Sequence, residues 1–189
     1  MELEFRTATV DDLDALVSLY GAAAQDMFRQ GIDQWDEYSP DREILSEDVE
    51  SGDMTLGFLD GELACAYVVN REYEPEYELG AWDFTEGDFC VLHRLCVNPR
   101  MQGQGLARQA MARMEKNALD KGFDSVRLDV FSQNLHAQRL YERLGYRRTG
   151  EVRFRKGIFY LMEKGLYNGE PSKTGGSPCI FTYSSSNIS

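Results

Sequence analysis

A strand that runs through a glycine turn straight into a helix is the feature that most constrains this chain's fold. The run is Leu95-Cys96-Val97-Asn98-Pro99-Arg100-Met101-Gln102-Gly103-Gln104-Gly105-Leu106-Ala107. Pro99 ends the strand because proline cannot donate to a ladder, and the glycines permit turns that other residues avoid. The first amides of the helix have no intrahelical partner and lie at the positive end of its dipole. We therefore predict a phosphate site, and with it a cofactor that carries a diphosphate.

The residues after the turn decide between known phosphate-binding motifs. A P-loop requires Gly-Lys-Ser/Thr, whereas Gly105 is followed by Leu106 and Ala107. A dinucleotide fingerprint requires a third glycine, and Arg108 stands in that position. The remaining pattern, Arg100-x-x-Gly103-x-Gly105 after a strand, resembles the acetyl-CoA-binding turn of the GCN5-related N-acetyltransferases (GNAT).

Two further segments carry the same resemblance. After a strand at 126–130 comes Asn134-x-x-Ala137-x-x-Leu140-Tyr141, a short helix that Gly145 ends. The opening Phe5-Arg6-x-Ala8-Thr9-x-Asp11-Asp12, followed by a helix, is also typical of such domains. Residues 91–166 resemble the family core. The resemblance implies an α/β (α+β) fold, a mixed, mostly antiparallel sheet flanked by helices on both faces.

Length and composition are those of one globular domain. We assign residues 1–167 of the 189 to the acetyltransferase domain and 168–189 to a Gly/Ser-rich tail without function. The four cysteines lack metal-ligand spacing, so we expect buried thiols and no metal. A net charge of −12 argues against nucleic acid and favours cationic substrates, although it also serves simple solubility. With neither a membrane span nor a signal peptide in the sequence, we expect a cytoplasmic protein without membrane contact.

Periodicity places the elements around this core. Thr9 and Asp12 form an acidic version of the capping box before the first helix. Strands are predicted at 3–7, 54–59, 62–70, 89–97, 126–130, 147–154 and 157–164, and helices after Thr9 and at 41–49, 104–121 and from Asn134. Loops are predicted at 31–40 and 71–87.

The resemblance implies a set of cofactor contacts. Backbone amides of the turn would hold the diphosphate, with charge added by Arg100, and the strand backbone at Leu95 and Val97 would pair with the pantetheine arm. An amide near Leu95 or Cys96 would stabilise the oxyanion. Asn134 would touch the cofactor arm or cap its helix, or do both. The full predicted cofactor set is Leu95, Cys96, Val97, Arg100, Gln102, Gly103, Gln104, Gly105, Leu106, Ala107, Asn134 and Ala137.

Two residues are candidates for proton transfer. Tyr141, two helical turns after Asn134, would act as the general acid for the leaving thiolate, or alternatively serve as a core tyrosine. His93 would act as the base, since an ordinary histidine pKa suits this role, or alternatively be a packed structural histidine. Strand alternation predicts that His93 shares a face with Leu95. Glutamates 72, 76 and 78 are other candidate bases.

The acceptor pocket is predicted between two loops. Gln34, Trp35, Tyr38 and Trp82 would form its walls, with Trp35 alternatively packed beneath a loop. The leading hypothesis is an acetyl-CoA-dependent N-acetyltransferase acting on a small primary amine. A protein N-terminal or lysine acetyltransferase and a non-catalytic acyl-CoA sensor are the alternatives. Sheet-edge pairing in this family makes a homodimer a further expectation.

Overall fold

The computed structural model describes residues 2–36 and 40–166. Its seven strands are β1 (Glu4–Thr7), β2 (Met54–Leu59), β3 (Glu62–Asn70), β4 (Phe89–Val97), β5 (Ser125–Phe131), β6 (Arg147–Phe154) and β7 (Gly157–Gly165). Its four α-helices are α1 (Leu13–Arg29), α2 (Arg42–Glu50), α3 (Leu106–Asp120) and α4 (Leu135–Arg143). The predicted tail and Tyr38 lie outside the described residues.

The strands form one sheet in the order β1-β2-β3-β4-β5-β7-β6. Every neighbouring pair is antiparallel except β4 and β5, which are parallel. One apolar cluster lies between the sheet and the helices α3 and α4, and a second lies between the sheet and α1 and α2. The predicted mixed sheet with helices on both faces is therefore confirmed.

Local sequence signals explain where the elements begin. The capping box at Thr9 and Asp12 is present, and it opens a 3₁₀ turn that leads into α1. The Asp41 carboxylate caps α2 by accepting from the amide of Ile44 at 2.9 Å. The predicted loop at 71–87 also contains a 3₁₀ helix, Pro75–Leu79. Among the described helices, none combines the length and apolar character that a membrane crossing requires.

A bulge in β4 opens the sheet. His93 pairs with Val68 and Cys96 with Ala66, so β4 holds one residue more than β3 between these pairs. Arg94, in the bulge, has φ of 53°, a left-handed conformation that is uncommon for a residue with a side chain. The pairing of β4 with β5 ends at Val91 and Arg127, although both strands continue. A wedge therefore separates the ends of the two parallel strands.

Buried partners hold this bulge in place. The Tyr20 hydroxyl donates to the Arg94 carbonyl at 2.7 Å, and the Arg94 Nε donates to Asp48 Oδ2 at 2.8 Å. Tyr20 and Asp48 are both buried. Because these contacts come from α1 and α2, the helices on one face of the sheet fix the strand conformation that opens the wedge.

Candidate active site

One cavity of about 1120 Å³ runs along the wedge between β4 and β5. It extends from the glycine turn at the start of α3 to the loop at residues 31–36. Most of the predicted site residues line it: Gln34, Trp35, His93, Leu95, Cys96, Val97, Gln102, Gly103, Gly105, Leu106, Ala107, Asn134, Ala137 and Tyr141. The fold thus brings together residues that lie more than a hundred positions apart in the sequence.

The glycine turn has the geometry of an anion site. Gly103 and Gly105 have φ of 78° and 76°, and a Cβ built on either glycine meets nothing within 4 Å. The first hydrogen bond of α3 runs from the Gln109 amide to the Gly105 carbonyl, so the amides of residues 106–108 precede it. These donors border open space at the positive end of the helix, and they fit a diphosphate group.

Three predicted residues are not brought into the cavity. Arg100 and Gln104 lie exposed in the same turn but are not among the described residues that line it. Trp82 lies elsewhere: its indole N–H donates to the Tyr77 carbonyl at 2.8 Å, and the Arg127 guanidinium lies 4.3 Å from its ring centroid. The expectation that Trp82 forms a pocket wall is corrected here, because a buried Arg127–Glu163 ion pair draws its segment to another part of the sheet.

Asn134 acts as a helix cap and also holds a loop. Its Oδ1 accepts from the Ala137 amide at 3.1 Å, and its Nδ2 donates to Gln34 Oε1 at 3.0 Å. The capping interpretation is therefore confirmed. The second bond ties the 31–36 loop to the start of α4, at the edge of the cavity.

Ion pairs tie the same loop to the turn between β6 and β7. Arg155 donates to both carboxylate oxygens of Asp36 at 3.0 Å, and Lys156 lies 2.8 Å from Asp33 and 2.7 Å from Asp36. Trp35, within the loop, packs on Tyr20 with ring centroids 5.3 Å apart. Trp35 therefore combines core packing with a place in the cavity wall.

His93 points away from Leu95, which corrects the prediction that they share a face. The extra residue in the bulge reverses the alternation, so His93 lies on the side of Val68 whereas Leu95 packs with the α3 and α4 cluster. His93 Nε2 lies 3.0 Å from Asn70 Oδ1 and 3.0 Å from the Glu72 carbonyl. Both partners are acceptors, so Nε2 carries the proton. Burial and the nearby Arg94 charge lower the pKa of His93 to about 4.

Asp129 is a functional candidate that sequence reasoning missed. It lies on β5, lines the cavity, and accepts a 2.8 Å hydrogen bond from the Tyr77 hydroxyl. Burial raises the pKa of Asp129 above its ordinary value, and the bond from Tyr77 opposes that shift. The sequence carried one signal for it, because Asp129 is the lone carboxylate in this largely apolar strand. A charged residue at such a position usually has a buried partner or a function.

Tyr141 lies buried beside this carboxylate. Burial and the charge of Asp129 together raise the pKa of the Tyr141 phenol, so it stays protonated at neutral pH. The cavity therefore holds a carboxylate that can accept a proton and a phenol that can donate one. A strand edge and an anion site lie along the same cavity, which together suit acyl transfer from a thioester.

Comparison with known proteins agrees with this geometry. Residues 16–146 match the model of the acetyltransferase (GNAT) family. Human N-acetyltransferase 8B is 28% identical over 109 residues, which cover 56% of this chain and 48% of that protein. The chain thus spans about half the length of this human relative. The uncharacterized N-acetyltransferase YesJ of Bacillus subtilis is 26% identical over 146 residues, which cover 76% of this chain and 81% of YesJ.

Solved structures show the same fold. A GNAT family acetyltransferase from Streptococcus agalactiae superposes with a TM-score of 0.78 at 24% identity, covering 86% of this chain and 95% of the other. The yncA protein of Salmonella typhimurium, solved with its cofactor acetyl-CoA, has a TM-score of 0.64 at 18% identity, covering 93% and 100%. Since the family model matches well over half of its residues, this chain belongs to the acetyltransferase (GNAT) family.

Proposed function

We propose that this protein transfers an acetyl group from acetyl-CoA to the primary amine of a small molecule, by direct attack in a ternary complex. The observation that carries the proposal is that one continuous cavity joins the glycine turn to Asp129 and Tyr141. An anion site at one end and a proton donor and acceptor further along match the two halves of such a reaction.

The residues of the turn and of β4 would hold the cofactor. The amides at 103 and 105–107 would bind the diphosphate, and the backbone of Leu95 and Val97 would pair with the pantetheine arm in the wedge that β5 leaves open. The amide of Leu95 or Cys96 would donate to the developing oxyanion. Acetyl-CoA would supply an activated thioester: the C–N bond forms as the amine adds to the carbonyl carbon, and the C–S bond breaks as the carbonyl re-forms and the thiolate leaves.

Asp129 is the better-placed base. Its carboxylate would take the proton that the acceptor nitrogen loses, and the Tyr77 hydroxyl would hold it in position. His93 remains the alternative base. It would accept the proton on Nδ1, because Nε2 is already protonated and faces two acceptors. A pKa of about 4 makes His93 a weaker base than an ordinary histidine. Tyr141 would donate its phenolic proton to the departing sulfur, which balances the proton that the neutral amine loses to Asp129; an acceptor that arrives as an ammonium ion first releases one proton to solvent.

The surroundings of Asp129 favour a small amine. Glu72 and Glu74 line the cavity with it. Three basic side chains in the same lining, Arg94, Arg155 and Lys156, are each paired with a carboxylate, so this end of the cavity attracts a cation. Apolar side chains complete the lining at this end, which suits a substrate with an apolar body: Met27, Ile32, Trp35, Phe154 and Phe159. The bonds from residues 31–36 to Asn134, Arg155 and Lys156 hold a loop across this end, which favours a compact acceptor over a polypeptide.

The test is thiol release from acetyl-CoA over a panel of arylalkylamines, polyamines, aminoglycosides, amino acids and short peptides. Wild type is compared with Tyr141→Phe and with the matched control Tyr160→Phe, which removes a phenol on β7 outside the cavity lining. We expect turnover with arylalkylamines that falls about tenfold or more in Tyr141→Phe only, without a change in acetyl-CoA affinity.

Other outcomes point to the alternatives. Turnover with peptides alone would replace the small-molecule acceptor with a protein acceptor. Tight acetyl-CoA binding without turnover on any acceptor would favour a sensor domain. Equal turnover in Tyr141→Phe and wild type would remove Tyr141 from the mechanism.

A further inference from the structure

A second cavity lies beside the first, and three arginines line it. Its volume is about 430 Å³, and it lies between the start of α3 and one face of α4. Arg108 comes from α3, whereas His136, Arg139 and Arg143 recur on α4 at helical spacing, with Leu140 and Leu144 beneath them. We call these four polar residues the arginine cluster.

The cluster is unusual for so acidic a chain. The net charge is −12, and most arginines of the described part form ion pairs, such as Arg94 with Asp48 and Arg127 with Glu163. Among residues 2–36 and 40–166, no ion pair involves Arg108, Arg139 or Arg143. Three guanidinium groups that have no carboxylate partner in the described part of the chain lie around one hollow, an arrangement that suits an anion with several oxygens.

The position of the cluster suggests which anion it binds. Arg108, His136, Leu140 and Arg143 line both cavities, so the second cavity adjoins the glycine turn directly. Coenzyme A carries a phosphomonoester on its ribose in addition to its diphosphate. If the diphosphate occupies the glycine turn and the pantetheine arm extends toward Tyr141, the nucleotide must lie outside the turn, on the side of the cluster.

We propose that the arginine cluster binds the 3′-phosphate of coenzyme A and makes the protein selective for coenzyme A over 3′-dephospho-coenzyme A. This inference rests on the proposed acetyl-CoA-dependent function. A phosphomonoester carries nearly two negative charges at neutral pH and offers three acceptor oxygens, which matches several forked guanidinium donors. Leu140 and Leu144 would provide an apolar surface next to the nucleotide.

The test measures binding, not turnover. Calorimetry compares coenzyme A with 3′-dephospho-coenzyme A on wild type, Arg139→Gln and Arg143→Gln. Arg153→Gln is the matched control, because Arg153 is exposed on β6 and lines neither cavity. We expect wild type to bind coenzyme A at least about tenfold more tightly than 3′-dephospho-coenzyme A. Each cluster variant should lose about three- to tenfold for coenzyme A and nothing for the dephospho form.

The possible results separate the two proposals. Equal affinity of wild type for both ligands would overturn the phosphate subsite and leave the acetyl-CoA proposal standing. Equal losses for both ligands in the cluster variants would also overturn the subsite, since they would show a general effect on the fold or the turn. Failure of wild type to bind either ligand would overturn both proposals. An advantage of coenzyme A that shrinks with added salt would support the subsite, because these side chains are exposed.

Discussion

The hydroxyl of Tyr77 donates a 2.8 Å hydrogen bond to Oδ2 of Asp129, within the cavity that Tyr141 also lines. Tyr77 belongs to the 3₁₀ helix Pro75–Leu79, in an acidic loop segment, whereas Asp129 lies inside β5. The bond therefore joins a loop to the strand that would carry the catalytic base. This hydrogen bond stabilises the charged carboxylate and so lowers the pKa of Asp129, whereas burial raises it.

Tyr77→Phe should move the acidic limb of the pH–rate profile to higher pH. The proposed base must be deprotonated, so kcat/KM falls as pH drops through the pKa of Asp129. Removing the hydrogen bond raises that pKa further, because burial is then less opposed. Measurements of kcat/KM from about pH 5 to 9 test whether the limb moves. Tyr73→Phe, which removes the hydroxyl from the ring stacked on Tyr77, should leave the limb in place. An unmoved limb in Tyr77→Phe would count against Asp129.

His93→Gln should retain the acidic limb. Burial lowers the pKa of His93 to about 4, so this imidazole is neutral throughout the working range and gives no limb there. We expect kcat to fall by less than about tenfold, because glutamine can still donate to Asn70 and the Glu72 carbonyl. The wild-type profile, measured in parallel over the same pH range, is the reference for this comparison. A profile that becomes flat in His93→Gln would restore His93 as the base.

Asp129→Asn should stabilise the protein at neutral pH while reducing its activity. Because burial raises the pKa of Asp129 in the folded state, the folded protein binds more protons than the unfolded chain and loses stability as pH rises from about 3.9 through the folded-state pKa. The amide avoids that cost and can still accept from Tyr77. Thermal melts at pH 8 should show a higher Tm for Asp129→Asn than for wild type, with each 1 kcal/mol gained in the free energy of unfolding raising Tm by about 2–4 °C.

Thermal melts at low pH test the predicted direction of this change in Tm. At about pH 3, below the unfolded-state value of about 3.9, the wild-type carboxyl is largely protonated in both states, so the difference in Tm should shrink toward zero. Asp120→Asn, on an exposed carboxylate of α3, should change Tm little at either pH. A lower Tm for Asp129→Asn at pH 8 would show that the carboxylate is stabilised in the fold, contrary to the pKa shift.

Gly105→Glu should abolish coenzyme A binding, whereas Gly52→Glu should not. The two glycines have φ of 76° and 79°, and an added Cβ meets nothing within 4 Å at either position. A side chain disfavours this left-handed backbone conformation, so both variants should lose a similar amount, about 1 kcal/mol, of the free energy of unfolding. Only Gly105 lies in the anion site, where a carboxylate would repel the diphosphate. Calorimetry with coenzyme A should show a loss of about a hundredfold or more for Gly105→Glu. Unchanged affinity would overturn the assignment of the turn.

Local sequence predicted most of the fold. The bounds of β2, β3, β4 and β6 match the predicted strands because their alternation or apolar runs, punctuated by turns, depend on neighbouring residues alone. The turn was predictable for the same reason, since its glycines adopt the left-handed conformation without tertiary help. The bulge was not, because Arg94 is held in its positive φ by Tyr20 and Asp48, which lie 74 and 46 residues away.

The errors at the site follow from such distant partners. Strand alternation placed His93 beside Leu95, and the extra residue of the bulge reversed it. Trp82 was expected in the pocket because it is aromatic and lies near carboxylates in sequence. Its actual place is set by Glu163, which accepts from the amide of Asp83 at 2.7 Å, and by Arg127, which donates to the Phe84 carbonyl at 2.8 Å. No local sequence pattern predicts contacts between residues so far apart in the chain.

Tyr20→Phe should weaken cofactor binding without touching the cavity's chemistry. The Tyr20 hydroxyl is the donor to the Arg94 carbonyl, and losing it leaves that acceptor unsatisfied at a strained residue, at a cost of about 1–2 kcal/mol in the free energy of unfolding. Leu95, the next residue, is where the strand backbone would meet the pantetheine arm, so a relaxed bulge should misplace it. We expect KM for acetyl-CoA to rise a few-fold with a smaller change in kcat. Tyr160→Phe, far from the bulge on β7, should alter neither constant. A stability loss with KM unchanged would show that the Tyr20–Arg94 bond supports the fold alone.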